Sequence, residues 1–298
     1  MGTDHDAVRR SLGRVGVWTF GFDGRAAAAV AGDVNAFEEA GYSALWIPEG
    51  GGSNDVLTNL SWLLGASERL TIASGIANIS AREPEVLARG AAFLRETSGN
   101  RLVLGIGVGH SYTTVRRGVE WDKPLARMRA YLDVMDEAAE ERPAAPRMLA
   151  ALGDGMLQLA AEQALGAHSY FVPVEHTARA REVLGPEPVL AVEQGVMLTE
   201  DPEVARAAGR EWTVHYLELP NYANNWRRLG FGEDDVAGAG SDRLVNAAFA
   251  WGADAIVDRV RAHLTAGADH VCIQVVGSAD PDEDLAVLRG LAPSLLSG

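Results

Sequence analysis

A short apolar run that opens into glycines is the feature that most constrains the fold. Residues 101–111 read RLVLGIGVGHS. The unbroken apolar run is typical of a parallel strand covered on both faces. Gly105, Gly107 and Gly109 leave the strand end without side chains, so a flat ligand can approach the backbone. His110 follows as a group that can move a proton near neutral pH. The same pattern also fits a glycine-rich turn beside an uninvolved histidine.

Similar apolar runs alternate with amphipathic segments along the chain. Besides the opening segment, strands are predicted at residues 15–20, 43–47, 70–76, 147–152, 167–172, 189–198 and 269–276. Helices are predicted at residues 25–40, 84–97, 124–140, 155–164, 175–184, 255–266 and 282–288. This α/β pattern predicts a single (β/α)8 TIM barrel over residues 1–298, with its active site at the C-terminal face. The long segments 110–146 and 199–252 are predicted as helical insertions at that face.

Composition and charge narrow the function classes. The chain has 26 Lys plus Arg against 41 Asp plus Glu, a formal charge of -15. A surface this acidic repels nucleic acid and anionic membranes, so we expect neither as a partner. The single cysteine, Cys272, excludes a disulfide framework and a cysteine-based metal site, and we predict no metal. Without a signal peptide or a run of about 20 apolar residues, the chain is predicted to be cytoplasmic.

Polar residues follow the second and third predicted strands. Glu49 comes directly after the second strand and precedes three glycines at 50–52, as expected of a carboxylate at a barrel rim or of a solvated turn. Gly75 interrupts the third strand after Ser74, which indicates a bulge or a close backbone approach. Asn78 either hydrogen-bonds a ring-shaped ligand or forms a turn.

The fifth and sixth predicted strands lead into candidate phosphate sites. Gly153, Asp154 and Gly155 open a helix whose free N–H groups and dipole can receive a phosphate, although Asp154 can instead cap that helix. Thr177, after the sixth strand, could hold the same phosphate or belong to the start of a helix. The GIGVG run lacks the spacing of a dinucleotide-binding fingerprint, which excludes a Rossmann fold.

Several blocks resemble the luciferase-like monooxygenase superfamily, specifically an actinobacterial-type subgroup of its coenzyme F420-dependent oxidoreductases. These blocks are GRVGVWTF, LTIASGIANISAREPEVLARGAAFL, NRLVLGIGVGHS and GADHVCIQVV. The resemblance implies a coenzyme F420 or FMN cofactor, a homodimer, and a non-prolyl cis peptide at Gly75 and Ile76 against the cofactor ring. Many relatives carry Glu-His or Asp-His where this chain has Glu49-Gly50, and some carry glutamate where it has His110.

The resemblance implies hydride transfer between coenzyme F420 and a small alcohol, carbonyl or enone. His110 is then the residue that moves the substrate proton, and Glu49 orients the substrate. The residues expected to bind the cofactor are Ser74, Gly75, Ile76, Asn78, Gly107, Gly109, Gly153, Asp154, Gly155, Met156 and Thr177. An apolar substrate pocket is expected from Trp18, Tyr222 and Trp226. The alternatives are an FMN-dependent monooxygenase and a barrel that binds a cofactor without catalysis.

Overall fold

The computed structural model describes residues 2–50, 53–138, 143–278 and 280–297. Within these ranges the strands are β1 (Val15–Trp18), β2 (Ala44–Ile47), β3 (Thr71–Ser74), β4 (Ala77–Asn78), β5 (Leu102–Gly107), β6 (Arg147–Ala150), β7 (Gly166–Ser169), β8 (Val189–Met197), β9 (Phe249–Trp251) and β10 (His270–Val275). The helices are α1 (Gly2–Leu12), α2 (Ala27–Ala40), α3 (Val56–Ala66), α4 (Pro84–Thr97), α5 (Ser111–Arg116), α6 (Pro124–Ala138), α7 (Asp154–Gln163), α8 (Val174–Leu184), α9 (Pro202–Leu217), α10 (Pro220–Arg228), α11 (Glu233–Val236), α12 (Asp242–Ala248), α13 (Ala253–Thr265) and α14 (Pro281–Leu296).

The strands close into a parallel barrel. Their order is β10, β1, β2, β3, β5, β6, β7, β8, and β8 pairs again with β10. β3 and β4 form one barrel strand, because both pair with β5 on either side of a cis peptide between Gly75 and Ile76. The short β9 pairs outside this circle with the end of β8. The predicted TIM barrel is confirmed, and its strand ends converge on one face.

Buried side chains of very different size fill the barrel interior, from Ala44 and Ala73 to Trp46. Trp46 lies fully buried at its centre, stacks on His168 with ring centroids 4.5 Å apart and donates a hydrogen bond to His270 Nε2 at 3.0 Å. Val8 and Leu12 of α1 belong to the same cluster and close the opposite, N-terminal face. A barrel filled in this way has room for a ligand only beyond the C-terminal ends of its strands.

The structure differs from the predicted element pattern in three places. The segment 199–252 is not wholly helical, since it ends in β9. Helix α6 packs between α4 and α7 as a regular barrel helix. The insertion after β5 is therefore confined to residues 108–123, which include the short α5. The helices α1 and α3 were not predicted, and the predicted end of the helix at residues 139–140 lies outside the described residues. No helix in the described ranges has the length and apolarity needed to cross a membrane.

Glu38 on α2 holds the chain at the entrance to β3. Its carboxylate accepts hydrogen bonds from the backbone N–H groups of Glu68 at 3.1 Å, Arg69 at 2.5 Å and Leu70 at 2.7 Å. Burial by itself raises the pKa of Glu38, but the N–H donors outweigh it and hold the pKa below its ordinary value of 4.5. This one side chain therefore joins the outer helix layer to the barrel.

We expect Glu38→Gln to lower the free energy of unfolding by about 1–3 kcal/mol at pH 7, because the amide loses the charge-assisted bonds. A carboxylate with a depressed pKa stabilises the fold above its unfolded pKa and loses that contribution as pH falls through its folded pKa. The difference from wild type should therefore shrink with acidification below pH 4.5. Urea unfolding at several pH values measures it, with the exposed neighbour Glu39→Gln as control. Equal effects of both variants at pH 7 would refute the assignment.

Candidate functional site

A cavity of about 1100 Å³ lies at the C-terminal ends of the barrel strands. Residues at or just after six barrel strands contribute to its wall: Trp18, Glu49, Asn78, His110, Leu152 and Tyr170. The insertion covers one side with α9 and α10, which supply Trp212, Tyr216, Tyr222 and Arg228. The strand ends and the insertion therefore line the same cavity, as in TIM barrels whose loops form the active site.

Glycines form the cavity floor where β4 lies beside β5. A Cβ atom on Gly107 would lie 2.5 Å from Ile76 Cδ1, and one on Gly109 would lie 2.0 Å from Asn78 Nδ2. Gly109 also has a φ of +70°, which favours glycine. The glycines therefore leave room for the side chains of Ile76 and Asn78 to pack directly against the backbone at the end of β5.

An unpaired donor lies beside this floor. Trp18 Nε1 is buried and has no hydrogen-bond partner within the described residues, and a Cβ atom on Gly75 would lie 2.5 Å from it. Buried polar groups are nearly always hydrogen-bonded, so an orphaned indole N–H next to a cavity points to an acceptor supplied by a ligand. Trp18 and Gly75 both line the cavity, as the sequence predicted.

His110 lies at the start of α5 with its imidazole half-buried in the cavity wall. Its ring centroid lies 5.8 Å from that of Tyr112 and 5.9 Å from that of Tyr222. In the described part of the chain its imidazole makes no hydrogen bond. Burial lowers the pKa of His110 below its ordinary value of 6.5, because desolvation penalises the imidazolium. A neutral imidazole has one ring nitrogen with a free lone pair, and this nitrogen can accept a proton.

Glu49 is fixed at the rim by an ion pair. Arg82 donates to both carboxylate oxygens, and the backbone N–H of Asn78 donates to Oε2 at 2.7 Å. Arg82 also pairs with Asp55 at 2.8 Å. These bonds tie the end of β2 to β4 and leave Glu49 few free acceptor sites. Its role in orienting a substrate stays a prediction; of the glycines that follow it, 51 and 52 lie outside the described residues.

The N-terminus of α7 forms the polar end of the cavity. Gly153, Gly155 and Met156 line it, whereas the side chain of Asp154 pairs with Arg179 at 2.6 Å. Arg228 of α10 also lines this end, and its Nη2 would lie 3.7 Å from a Cβ atom on Gly153. Arg228 Nη2 donates to Asn225 Oδ1 at 3.2 Å, but its charge meets no described carboxylate. A guanidinium without such a counter-ion beside a helix N-terminus matches the charge and donors that a phosphate needs.

Besides Asp154, three predicted site residues do not line the cavity. Ser74 Oγ donates to the Gly105 carbonyl at 2.8 Å. Thr177 is fully buried and its hydroxyl bonds His263 Nδ1 at 2.7 Å, so the hydroxyl is not available to a phosphate. Trp226 of α10 is fully buried, in contact with Phe231 and Phe171. All three belong to the framework behind the site.

Tyr170, Tyr216 and Arg228 are among the cavity residues that the sequence analysis missed. Tyr170 stands at the end of a predicted strand, in SYFVP, so its position alone could have indicated it. Tyr216 and Arg228 lie in the insertion, and no local pattern shows which helix faces fold back over the barrel.

Curated relatives match part of the chain. The Mycobacterium tuberculosis protein named "Putative coenzyme F420-dependent oxidoreductase Rv3520c" is 33% identical over 149 residues, which cover 49% of this chain and 42% of the relative. A 5,10-methylenetetrahydromethanopterin reductase of Archaeoglobus fulgidus is 29% identical over 149 residues, covering 43% of this chain and 45% of the relative. The matches thus span less than half the length of these relatives.

Solved structures share the whole fold. An F420-dependent secondary alcohol dehydrogenase in complex with an F420-acetone adduct superposes with a TM-score of 0.75 at 14% identity, covering 95% of this chain and 98% of that one. The coenzyme F420-dependent tetrahydromethanopterin reductase of Methanopyrus kandleri gives 0.72 at 16% identity, with coverage of 95% and 98%. The FMN complex of a type II Baeyer-Villiger monooxygenase from Pseudomonas putida gives 0.70 at 15%, again with 95% and 98%.

The family assignment rests on a longer match. The luciferase-like monooxygenase family model matches residues 18–276, which include every cavity-lining strand end described above. The chain therefore belongs to the luciferase-like monooxygenase family.

Proposed function

We propose that this protein is an oxidoreductase that transfers a hydride between coenzyme F420 and an alcohol, carbonyl or enone substrate. The observation that carries the proposal is His110, whose half-buried imidazole lies at the edge of a glycine floor and forms no hydrogen bond with the described residues. The name of the Mycobacterium tuberculosis relative and the descriptions of two of the solved structures support the choice of cofactor, since all three name F420.

The cavity fits the two parts of such a cofactor. Gly75, Ile76 and Gly107 would hold the ring, with the unpaired Trp18 N–H as a donor to it. The N-terminus of α7 and Arg228 would hold the phosphate. When bound, coenzyme F420 supplies a ring carbon that accepts or returns a hydride. Asn78, which already supports the floor beneath Gly109, would stay at the ring edge.

His110 would manage the proton that accompanies the hydride. During alcohol oxidation its neutral imidazole accepts the hydroxyl proton, and during carbonyl reduction the imidazolium returns a proton to the carbonyl oxygen. The surrounding rings of Tyr112 and Tyr222 limit water access to the imidazole. Glu49, held by Arg82, would orient the substrate hydroxyl from the rim.

Cofactor choice is tested by titrating the protein with oxidised coenzyme F420 and with FMN while fluorescence quenching is followed. Selective binding of coenzyme F420 supports the proposal. Selective binding of FMN together with oxygen consumption would replace it by the monooxygenase alternative, and binding without turnover of any substrate would favour a non-catalytic barrel. A homodimer, a cytoplasmic location and one domain over residues 1–298 stay predictions.

Replacing His110 tests the proton step. We expect His110→Gln to lower kcat by about 10²–10⁴-fold, the usual contribution of general acid–base catalysis, while the Kd for coenzyme F420 stays within about twofold. His215, an exposed histidine at the cavity rim, provides the comparison variant His215→Gln. Loss of turnover in the His215 variant, with His110→Gln active, would move the proton step to the other histidine.

The pH profile gives a second measure of the same residue. Because burial lowers the pKa of His110, the base form persists below pH 6.5, and kcat for alcohol oxidation should fall only at more acidic pH. Steady-state rates between pH 4.5 and 8 measure this limb. A limb at or above pH 6.5, or one unchanged in His110→Gln, would contradict the assignment.

Arg228→Met tests the phosphate end. We expect the Kd for coenzyme F420 to rise about 10- to 100-fold, because a charge-assisted bond to phosphate is lost. The Kd for 8-hydroxy-5-deazariboflavin, which has the same chromophore without the phosphate, should stay unchanged. The neighbouring Arg227, paired with Glu233 at 2.7 Å, gives the control Arg227→Met. An equal loss for both ligands would show that Arg228 does not hold the phosphate.

A further inference from the structure

The side of the cavity away from α7 is built of aromatic rings. We define the aromatic wall as the side chains of Trp18, Phe20, Tyr170, Trp212, Tyr216 and Tyr222, all of which line the cavity. Ring centroids are 4.6 Å apart for Trp18 and Phe20, and 5.9 Å for Phe20 and Trp212. They are 5.9 Å apart for Trp212 and Tyr216, 5.3 Å for Tyr216 and Tyr170, and 5.0 Å for Tyr170 and Trp18. Five rings thus form a closed circuit, and Tyr222 packs on it 5.1 Å from Tyr216.

The hydroxyl protons of Tyr170 and Tyr216 are already used. Tyr170 donates to Gln274 Oε1 at 3.0 Å, and an amide oxygen can only accept. The 2.9 Å bond between the Tyr170 and Tyr216 hydroxyls therefore runs from Tyr216 to Tyr170. Burial raises the pKa of both phenols, which keeps them neutral. The two tyrosines accordingly present the cavity with ring surface and no hydroxyl donor.

Polarity divides the cavity between two ends. Arg228 and the N-terminus of α7 form the polar end, whereas the aromatic wall joins β1 and β7 to α9. Phe20 is 41% exposed at the mouth of the cavity. Exposed apolar side chains that are contiguous with other aromatic rings are typical of ligand-binding grooves.

We propose that the aromatic wall is the substrate subsite and that it takes alcohols or ketones whose reacting carbon is attached to an aromatic ring or belongs to a ring fused to one. This proposal rests on the proposed function. In the oxidative direction the carbinol C–H bond breaks and its hydride passes to oxidised coenzyme F420. The O–H proton passes to His110, and the C–O bond becomes C=O. Rings stack on the wall edge-to-face or offset, which adds to the apolar area that they bury.

A matched series of secondary alcohols tests the substrate class: 2-propanol, cyclohexanol and 1,2,3,4-tetrahydro-2-naphthol. Reduction of coenzyme F420 is followed by its visible absorbance, and the matching ketones are used with the reduced cofactor. We expect kcat/KM to rise at least about tenfold from cyclohexanol to tetrahydronaphthol, as two or more ring contacts form. A constant or falling kcat/KM along the series would overturn the substrate class while leaving the proposed function intact.

Binding without a cofactor separates the two proposals. 2-Naphthol should quench the fluorescence of the wild-type protein, with Trp212→Leu weakening its Kd about fivefold. If 2-naphthol binds in this way and no alcohol or ketone is turned over, the aromatic subsite stands and the proposed function fails. If Trp212→Leu leaves the Kd unchanged, the subsite fails.

Variants of the wall locate the effect. We expect Trp212→Leu and Phe20→Leu each to lower the ratio of kcat/KM for tetrahydronaphthol to that for 2-propanol about fivefold, mainly through KM. Trp212→Phe, which keeps a ring, should restore most of the ratio and shows that the Leu variant is not merely misfolded. The control is Trp62→Leu on α3. Trp62 is 36% exposed and lies outside the cavity, so this variant should leave the ratio unchanged. An equal fall in that control would overturn the assignment.

Discussion

The barrel depends on size complementarity along its axis. Trp46 fills the centre, and the strands can close around it only where small residues face it across the interior. Gly16 is one such residue, because a Cβ atom there would lie 2.7 Å from Cε1 of His270, the partner of the Trp46 indole. Packing of this kind fills the barrel interior with side chains. The cavity therefore lies at the C-terminal face, where glycines at the ends of β3 and β5 carry no side chains that would fill the space.

The sequence predicted the barrel because its strands are apolar on both faces and alternate with helices at regular spacing. It also predicted the residues that stand directly at strand ends, such as Trp18 and His110, since parallel strands in a closed barrel all end on one face. β9 was missed because three residues inside a helical segment carry no periodicity of their own. Thr177 shows a different limit: its hydroxyl bonds His263, 86 positions away, and such a partner is visible only after folding.

The candidate site combines a rigid floor with a wall from the insertion. Gly107 and Trp18 lie at the ends of barrel strands, and the Glu49–Arg82 pair connects the segments that follow β2 and β4. The sheet therefore sets the positions of all four residues. The insertion has its own apolar core around Phe171 and Trp226, and Phe171 links it to the barrel because Glu193 on β8 accepts the Phe171 N–H at 3.0 Å. This hydrogen bond anchors the aromatic rings of the insertion to a buried strand, whereas a mobile loop would leave their positions variable.

Helix α10 joins the two ends of the cavity. It contributes Tyr222 to the aromatic wall and Arg228 to the polar end, and six residues along a helix span about 9 Å. A single rigid rod therefore sets the spacing between the groove for the anionic tail and the surface for the ring. A substitution that tilts α10 would therefore move Tyr222 and Arg228 together, so the aromatic wall and the polar end of the cavity cannot shift independently.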